Sequence, residues 1–544
     1  MLAPQLYVVA QDKVFRNLDA LSSIEHRLNA LPRASVQLVF SSMDELDQAG
    51  SVLLPGQSIE FRHGEQTLFA GKIAKHSIHY SKAGCLLILE CAHPAFALAT
   101  QPRSRYFTDI PDSRIIEEVL AEHGISADIN APTLHLDSVV QHNLSDWDFV
   151  LQRLAANGLV AYCSERAVIA AIPALDTKRG FSLPEQDLIS ADIAVDATRQ
   201  VAKLELSAWN PHDQELMQVE AEAVDFPAND RLAATLQLLE QGIYSKRLAG
   251  EYSLQELQTL ANAQLAQSRL AMIRGKVTAT GLYTASPGQA LLLEQCGSHL
   301  SGQYFIASVT YALSPGAAPV THFDIGLPLP TDIQETTQGF SGLLIGKVLE
   351  TDNDPQAAGR IKITAPLIDP HGAGTWARLA TLQAGMNSGT VFRPAVGSEV
   401  ILGLFGANPD DIVVLGACHS SATPAPWENA DLHGFQSPGQ LKLAFDDEKQ
   451  RIVISARDGT KLYLSQDAAE TFLLEDQQQN KIRFTSDGMH LQSHQLVLES
   501  DNLKLKGLNV DVEAKHSLRL KSGTSMEIST SGNLKLKGSL VSIN

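Results

Sequence analysis

Four carboxylates have the residue types and spacing with which a protein could cleave a glycosidic bond. They are Asp352, Asp354, Asp410 and Asp411. Two carboxyl groups that flank a glycosidic bond can act as acid and as base or nucleophile. However, all four stand in turn-forming strings, D-N-D-P at 352–355 and N-P-D-D at 408–411. Turn formation therefore explains them better than catalysis does, and we expect no catalytic residue.

The histidines and adjacent cysteines are not spaced for a metal centre or a nucleophile. His76 and His79 lie three apart in a strand-like run, so alternation places them on opposite faces. Cys418 and His419 are adjacent and also diverge. The chain contains no G-x-x-x-x-G-K-[ST], H-E-x-x-H or G-x-S-x-G motif and no EF-hand loop. We expect no metal, no cofactor and no enzymatic activity.

Cysteine usage and the N-terminus describe where the chain is made. The five cysteines are Cys85, Cys91, Cys163, Cys296 and Cys418, with no C-x-x-C. This pattern predicts reduced, mostly buried thiols from a reducing compartment. The N-terminus lacks the basic start and long apolar run of a signal peptide, and no apolar run is long enough to span a membrane. Synthesis in the cytoplasm without a signal peptide is expected.

The overall charge disfavours a nucleic-acid partner. The net charge is −19 over 544 residues, which repels phosphates. Trp376 and Phe392 lie in a β-rich stretch of the kind that binds sugars or single strands. Both lack the basic neighbours of a nucleic-acid groove, so we expect them to pack.

The most regular pattern in the sequence is a C-terminal repeat at 441–544. Its apolar residues recur in i, i+2 pairs, first ten residues apart and then seven or eight. The pairs are Ile452/Ile454, Leu462/Leu464, Phe472/Leu474, Ile482/Phe484, Met489/Leu491, Leu496/Leu498, Leu503/Leu505, Val510/Val512, Leu518/Leu520, Met526/Ile528, Leu534/Leu536 and Val541/Ile543. Such pairs form one face of a short strand, and turn residues separate many of them. A stacked β architecture is indicated.

One copy of this repeat is too thin to form a core. Each repeat offers about two inward side chains, whereas a core residue touches roughly 6–12 others. A single-chain β-helix takes about 20 or more residues per turn, and an antiparallel meander is a further alternative. A step of seven or eight residues instead makes one wall of a prism shared by three chains. We favour an intertwined homotrimeric β-helix, or prism, with a core of Leu498, Leu505, Val512, Leu520, Ile528 and Leu536.

The end of the repeat differs in charge from the rest of the chain. From Asp501 to Asn544, seven Lys and Arg outnumber four Asp and Glu, which leaves −22 elsewhere. Lysines protect exposed strand edges from unwanted pairing. The alternative is a tip that approaches an anionic surface or an acidic partner, but edge protection is the simpler explanation.

Turn and linker signals divide the chain into six segments and predict a mainly β protein. These are a β-barrel at 1–110, a helical insertion at 111–160, a second β-barrel at 161–335 with a helical segment at 229–272, an OB-fold barrel at 343–420, a neck at 421–440 and the repeat at 441–544. Pro287-Gly288-Gln289 repeats Pro55-Gly56-Gln57 before a strand, which suggests that the first two barrels are related.

Three helices have recognisable start signals. Asp112 is the expected N-cap of a helix at 113–123. Ser145, with Asp148 three residues later, caps a second helix that Gly158 ends. Ser253-Leu254-Gln255-Glu256 is a capping box for the third.

Several motifs between 346 and 416 resemble, in family order, the OB domain of baseplate spike proteins. These are the VgrG proteins of type VI secretion and the spikes of contractile phage tails, tailocins and extracellular contractile injection systems. The motifs are G-K-V at 346–348, D-N-D-P at 352–355, G-R-I-K-I at 359–363, W-A-R-L-A at 376–380, F-R-P-A-V-G-S-E-V-I at 392–401 and N-P-D-D-I-V-V-L-G at 408–416. The helix at 145–158 and the strand entry at 286–288 are similar to the family's hub, and the terminal repeat to its needle.

The resemblance implies a homotrimeric hub and spike that sits on inner tube and baseplate proteins. Contraction would drive its needle into transient contact with a target membrane. A small PAAR-type tip protein would dock on Val541, Ile543 and Asn544. The segment 421–439 is too short for a lysozyme domain and no toxin extension follows, which favours an extracellular system or tailocin over type VI secretion. Such a phage-tail-like particle could be released from the cell.

Two other functions stay open at this point. A tail-associated cell-wall hydrolase would lyse cell walls in a zymogram. A trimeric receptor-binding fibre would bind glycans or cell surfaces through the isolated segment 441–544.

Overall fold

The computed structural model describes most of the chain as two compact units, residues 1–425 and 426–544. The described residues are 6–10, 13–15, 20–82, 84–129, 133–164, 166–175, 180–198, 200–210, 212–222, 242–249, 252–297, 301–314, 316–328, 342–369, 371–405, 410–467 and 469–543. Residues 329–341, where the second expected barrel ends and the expected OB-fold barrel has not yet begun, fall outside them.

The first part of the first unit consists mainly of strands, as predicted, with one short helix that the sequence did not predict. The elements are β1 (Leu6–Ala10), β2 (Lys13–Phe15), β3 (Ala20–Arg27), β4 (Arg33–Phe40), α1 (Met43–Gly50), β5 (Ser58–His63), β6 (Gln66–Ser81) and β7 (Gly84–Ala92). Alternate side chains of β4 and β7 are buried. This alternation is what a half-buried antiparallel strand requires.

A layer with two helices follows. Its elements are a short 3-10 helix (Phe96–Ala99), β8 (Pro102–Pro111), α2 (Asp112–Ala121), β9 (Ser126–Ile129), β10 (His135–Ser145), α3 (Asp146–Ala156), β11 (Val160–Cys163) and β12 (Ala167–Ala171). Strands β8 and β10 pair with each other, and β11, β12 and β9 form a three-stranded sheet. The apolar faces of α2 and α3 pack in one cluster with residues of these strands.

The starts of these two helices differ from each other. Ser145 caps α3 as predicted: its hydroxyl accepts the Asp148 N–H at 3.1 Å. The prediction of Asp112 as an N-cap is wrong, because Pro111 holds that position in extended backbone and Asp112 is the first helical residue. The Thr133 hydroxyl, from outside the helix, accepts the Ser113 N–H instead.

The remainder of the hub alternates strands with one long helix. The elements are β13 (Phe181–Pro184), a 3-10 helix (Glu185–Asp187), β14 (Leu188–Val195), β15 (Lys203–Asn210), β16 (Glu215–Glu220), β17 (Ile243–Leu248), α4 (Leu254–Leu270), β18 (Ile273–Thr280), β19 (Ala290–Glu294), β20 (Gly302–Leu313) and β21 (Val320–Ile325). The predicted capping box of Ser253 and Glu256 is present at the start of α4.

The expectation of helix throughout 229–272 is wrong for Ile243–Leu248, which is β17. This segment pairs in parallel with β15 along its whole length. Pairing to an existing strand outweighs the weak local preference of a short segment. Residues 223–241 lie outside the described part.

The strands expected to form two separate hub barrels join in one sheet of thirteen strands. The order is β14-β18-β21-β20-β3-β4-β7-β6-β5-β1-β2, and β19 and β13 attach beside β20. The junction is the antiparallel pair β20–β3, from Ser308 opposite Arg27 to Leu313 opposite Ser22. One apolar core includes side chains from both halves.

The repeated Pro-Gly-Gln string marks equivalent positions in the two halves. Gly56 donates its N–H to Ile73, and Ile73 donates back to the Gln57 carbonyl at 2.9 Å. Gly288, Ile306 and Gln289 make the same two bonds, the return bond again at 2.9 Å. The two glycines have φ of 89° and 90°, a conformation that costs other residues energy. The halves are therefore built on the same turn.

The third part of the first unit is a small closed barrel. Its strands are β22 (Leu344–Glu350), β23 (Ile361–Thr364), β24 (Thr375–Leu379), β27 (Glu399–Leu404) and β28 (Ile412–Ala417), with a minor hairpin of β25 (Ala384–Gly385) and β26 (Ser388–Gly389). The barrel order β22-β23-β24-β28-β27 is that of a five-stranded OB barrel. Residues 390–398 between β26 and β27 form no strand, and the minor hairpin pairs Ala384 with Gly389 and Gly385 with Ser388.

The second unit contains one seven-stranded antiparallel sheet. Its strands, each paired with the next, are β29 (Leu432–Gln436), β30 (Lys442–Asp446), β31 (Arg451–Ser455), β32 (Lys461–Ser465), β33 (Phe472–Glu475), β34 (Lys481–Thr485) and β35 (Gly488–Gln492). The sheet begins at Leu432, inside the segment expected as a neck, because β29 pairs with β30.

Candidate functional site

The seven-stranded sheet carries all its large apolar pairs on one face. Register places Phe445, Ile452, Leu464, Phe472, Phe484 and Met489 in one column, and Phe435, Leu443, Ile454, Leu462, Leu474, Ile482 and Leu491 in the other. The Phe472 and Phe484 rings lie 5.1 Å apart. The ten-residue spacing in the sequence is therefore a strand and a turn, which brings each pair beside the next.

The other face of this sheet is held by ion pairs. Glu475 lies between Lys461 and Lys481, at 2.9 and 2.7 Å. Asp446 accepts a hydrogen bond from the Arg451 guanidinium at 3.0 Å. Such contacts stiffen the sheet but add little stability each. They leave the apolar face as the side of the sheet that lacks cover.

The apolar face of the sheet is more exposed than the surface of a monomeric soluble protein usually is. Ile454, Leu464, Met489 and Leu491 are each close to half exposed. A contiguous apolar patch of this kind marks an interaction surface. Its two parallel columns fit a partner with the same regular spacing.

The repeats after Gln492 pair with no strand among the described residues 493–543. The backbone there forms neither helix nor strand and bends near residues 501, 508, 515, 523, 531 and 539. The bends fall between the apolar pairs, at the predicted step of seven or eight residues. Each repeat is therefore one segment between two bends.

The predicted trimer-core residues are exposed in the single chain. Leu498 is 61% exposed, Leu505 70%, Val512 66%, Leu520 67%, Ile528 66% and Leu536 65%. Val541 and Ile543, predicted to dock a tip protein, are also exposed, and Asn544 lies outside the described residues. A column of exposed leucines and valines of this length marks an interaction surface.

The loop carboxylates of the small barrel are structural. Asp354 accepts hydrogen bonds from the backbone N–H groups of Gln356, Ala358 and Arg360 and from the Arg360 side chain at 3.0 Å. Burial opposes ionisation, but the bonds and charge of Arg360 outweigh it and lower the pKa of Asp354 to about 2. A carboxylate held in this way fixes a loop and is poorly placed to carry a proton.

Asp410 joins the barrel to the helical layer, which sequence reasoning did not predict. Its carboxylate accepts the Val140 N–H at 2.6 Å and faces the Arg153 guanidinium at 3.4 Å. Arg153 in turn donates to both oxygens of buried Asp112. Burial raises the pKa of Asp410 to about 6, against the charge of Arg153. Arg153 lies 41 residues from Asp112 and 257 from Asp410 in sequence, so no local pattern could have indicated the cluster.

The cysteines are unpaired thiols of differing burial, and His76 contacts a backbone carbonyl. Cys85, Cys91 and Cys163 are buried, whereas Cys296 is intermediate and Cys418 exposed; all five are free thiols. His76 Nδ1 lies 3.2 Å from the Leu53 carbonyl oxygen.

Ligand atoms of Glu122, His123 and Asp146 lie within 4.8 Å of one another, a grouping that sequence reasoning missed. Arg103 and Arg105 each pair with both carboxylates, so two guanidinium groups already neutralise this cluster. The arrangement fits an ion-pair network of the helical layer.

Trp376 lies on a groove of about 1040 Å³ within the first unit. Lys362 is its register partner on β23, and Arg378 follows on the same strand. Both line the groove with it, so the expectation that Trp376 lacks basic neighbours is wrong. The signal was present in the alternation of β23 and β24, which places these side chains on one face.

Comparison with known proteins agrees with this architecture. The model of the Alg8 N-terminal domain matches residues 12–314, and that of the type VI secretion system/phage-baseplate injector OB domain matches residues 344–419. No curated protein sequence matches the chain. Among the described residues, no helix is both long and apolar enough to cross a bilayer.

Solved structures share the fold at low identity. A half-lidded Francisella PdpA–VgrG complex is 10% identical with a TM-score of 0.56, covering 90% of this chain and 88% of that one. An E. coli component of the type VI secretion system, similar in structure to the T4 bacteriophage tail proteins gp27 and gp5, is 13% identical with a TM-score of 0.50. That match covers 76% of this chain and 99% of that one.

Proposed function

We propose that this chain, which belongs to the Alg8 N-terminal domain family and is similar in OB domain and fold to VgrG and phage-tail baseplate proteins, is the structural hub and spike of a contractile injection machine. In this function it is a homotrimer that connects an inner tube to a membrane-puncturing needle. Its work is mechanical: contraction force passes through a rigid β-rod, and no reaction is catalysed.

The observation that carries the proposal is the uncovered apolar face of the second unit. Two columns of side chains cover seven strands and then continue, exposed, along repeats that have no strand partner among the described residues. Three chains around one axis would bury these columns against each other and pair the free strand edges. A closed prism without edges is suited to transmitting force.

The partners at the two ends of the spike follow from the family. Inner tube and baseplate proteins would bind the hub, and a PAAR-type tip protein would dock at Val541, Ile543 and Asn544. The exposure of Val541 and Ile543 supports docking there. The assembled phage-tail-like particle would bring the spike into transient contact with a target membrane.

Light scattering coupled to size exclusion tests the trimer directly. The full chain is expected to elute with three times the chain mass of 58.8 kDa. A control chain that ends at Gln492 keeps the seven-stranded sheet and lacks the later repeats, so its trimer should dissociate at higher protein concentration. A monomeric full chain at ~10 µM would exclude the proposal, because 10 µM is well above the dissociation constants of specific assemblies.

The non-enzymatic assignment has its own test. A zymogram on purified cell walls should show no clearing by the full trimer, and clearing would favour a cell-wall hydrolase. Glycan or cell-surface binding by the segment 441–544 would favour a receptor-binding fibre.

Docking of the tip is tested by capture of a PAAR-type protein on immobilised trimer. Val541→Asp with Ile543→Asp should abolish capture and leave the trimer mass unchanged. Capture equal to that of the unmodified chain would place the docking surface elsewhere.

A further inference from the structure

The outward side chains of the terminal repeats alternate in charge from one repeat to the next. Each repeat of seven or eight residues contains a four-residue string in which positions one and three are the apolar pair and positions two and four are expected on the opposite side. The strings are L-V-L-E at 496–499, L-K-L-K at 503–506, V-D-V-E at 510–513, L-R-L-K at 518–521, M-E-I-S at 526–529 and L-K-L-K at 534–537. Acidic and basic strings alternate through these six repeats, and the final string V-S-I-N at 541–544 carries no charge.

The alternation has no use within one chain. The charged residues of these strings are all exposed, and none of them has an ion pair among the described residues. Consecutive strings are separated by a bend and make no strand pair with each other. Edge protection by lysines explains the basic strings but leaves the acidic strings between them without a purpose.

In a three-chain prism the alternation would place opposite charges on neighbouring strands. A three-fold axis places the same repeat of all three chains at one height, on three walls. Each chain moves to the next wall with each repeat, so the strand above a given repeat belongs to a neighbouring chain and is one repeat further along. Neighbouring strands lie ~4.8 Å apart, within reach of a side-chain ion pair.

We propose that the alternating strings form an interchain ladder of ion pairs that sets the register of three copies of this chain. The inference rests on the proposed trimer and specifies how its chains align. The pairs are Glu499–Lys506, Lys504–Asp511, Lys506–Glu513, Asp511–Arg519, Glu513–Lys521, Arg519–Glu527 and Glu527–Lys535. Every one joins residues of opposite sign on two chains.

The ladder discriminates between registers that the apolar column cannot tell apart. The inward pairs are all leucine, valine, methionine or isoleucine, so a slip by one repeat keeps the core apolar. The same slip places L-K-L-K beside L-K-L-K or L-R-L-K, which sets like charges opposite each other. The charges thus penalise the error that the repeat itself would allow.

A single charge reversal tests the ladder in the full chain. Asp511→Lys places a lysine between Lys504 and Arg519 of the neighbouring chains, at three places in the trimer. The matched control is Asp501→Lys, the same substitution at an exposed bend between strings. The trimer-to-monomer midpoint is measured by analytical ultracentrifugation at ~20 mM and ~1 M NaCl, since high salt screens exposed charges.

The ladder predicts that Asp511→Lys raises the midpoint concentration at least about tenfold at low salt and much less at high salt. Asp501→Lys should stay within about twofold of the unmodified chain, a difference that corresponds to well under one ion-pair energy. The swap Lys504→Asp with Asp511→Lys restores one of the two contacts and should recover about half of the loss.

The outcomes separate this inference from the proposed function. A monomeric unmodified chain would refute the trimer itself. A trimeric unmodified chain in which Asp511→Lys and Asp501→Lys behave alike would overturn the ladder and leave the trimer standing. Failure of the swap to recover any of the loss would also overturn the proposed register.

Discussion

Leu520→Asp is the substitution that best separates a single-chain rod from a three-chain prism. Leu520 is a predicted inward residue of one terminal repeat and makes no strand pair among the described residues. In a single chain the change replaces one exposed side chain by another. In a prism it places three carboxylates close to one axis.

The magnitude follows from the exposed area. Full burial of a leucine stabilises by about 1.5–3 kcal/mol, so covering the 67% of Leu520 that one chain leaves exposed is worth about 1–2 kcal/mol. Three copies give about 3–6 kcal/mol per trimer. Three uncompensated carboxylates in the core cost several kcal/mol more, and repulsion between them adds to that. The loss is large against a typical assembly free energy of about 8–12 kcal/mol.

The assay is light scattering of the full chain across a dilution series, with a thermal scan of the same samples. Leu520→Asp should be monomeric where the unmodified chain is trimeric. Ser529→Asp, which adds the same charge at an exposed outward position of the next repeat, is the matched control and should remain trimeric. If Leu520→Asp still forms trimers of unchanged thermal stability, Leu520 does not face the axis and the inward assignment is wrong.

Three further substitutions test the contacts of the first unit. Asp354→Ala should lower the free energy of unfolding by about 2–4 kcal/mol in urea titrations, because three backbone N–H groups and Arg360 lose their acceptor. The pKa of Asp354 in the folded chain is lowered to about 2, so its stabilising contribution is present above pH 4 and is lost as the pH falls towards 2. The pKa of Asp410 is raised to about 6 in the folded chain, so the folded chain binds this proton more tightly than the unfolded chain does. The free energy of unfolding should therefore fall as the pH rises from about 4 to 6. Asp410→Asn should remove that slope from a plot of unfolding midpoint against pH. Arg153→Met should destabilise by about 3–5 kcal/mol in the same titration, because buried Asp112 loses its counter-charge, whereas Arg114→Met at an exposed ion pair should change stability by less than about 0.5 kcal/mol.

Local signals were sufficient for the elements and insufficient for their long-range pairing. The capping box at Ser253 and the cap at Ser145 depend on a few neighbouring residues, and both were predicted and are confirmed. The pairing of β20 with β3 joins residues almost 300 positions apart, and no periodicity encodes it. The two halves were therefore expected as separate barrels although they share one sheet.

The candidate site shows the same division. The apolar pairs at ten-residue spacing were predicted as strand faces, and their register in β31 to β34 confirms it. Those repeats pair as an antiparallel meander within one chain, the alternative that the sequence left open for the whole segment. A seven-residue step does not itself prevent such pairing, since Ile482 and Met489 stand in the hairpin of β34 and β35, but the repeats after Gln492 make no strand pair among the described residues. Their assignment to a trimer core stays a prediction.

The meander from Leu432 to Gln492 has a consequence for how the rod is assembled. Each of its strands pairs only with its neighbours in sequence, so all its contacts are local and their order of formation is simple. Chains dominated by local contacts fold fast, and single hairpins close in about 1–10 µs. We expect this sheet to form in each chain before the chains wind around each other. The three folded sheets would then meet through their apolar faces. Winding of the later repeats around each other would start at these sheets and proceed towards the C-terminus.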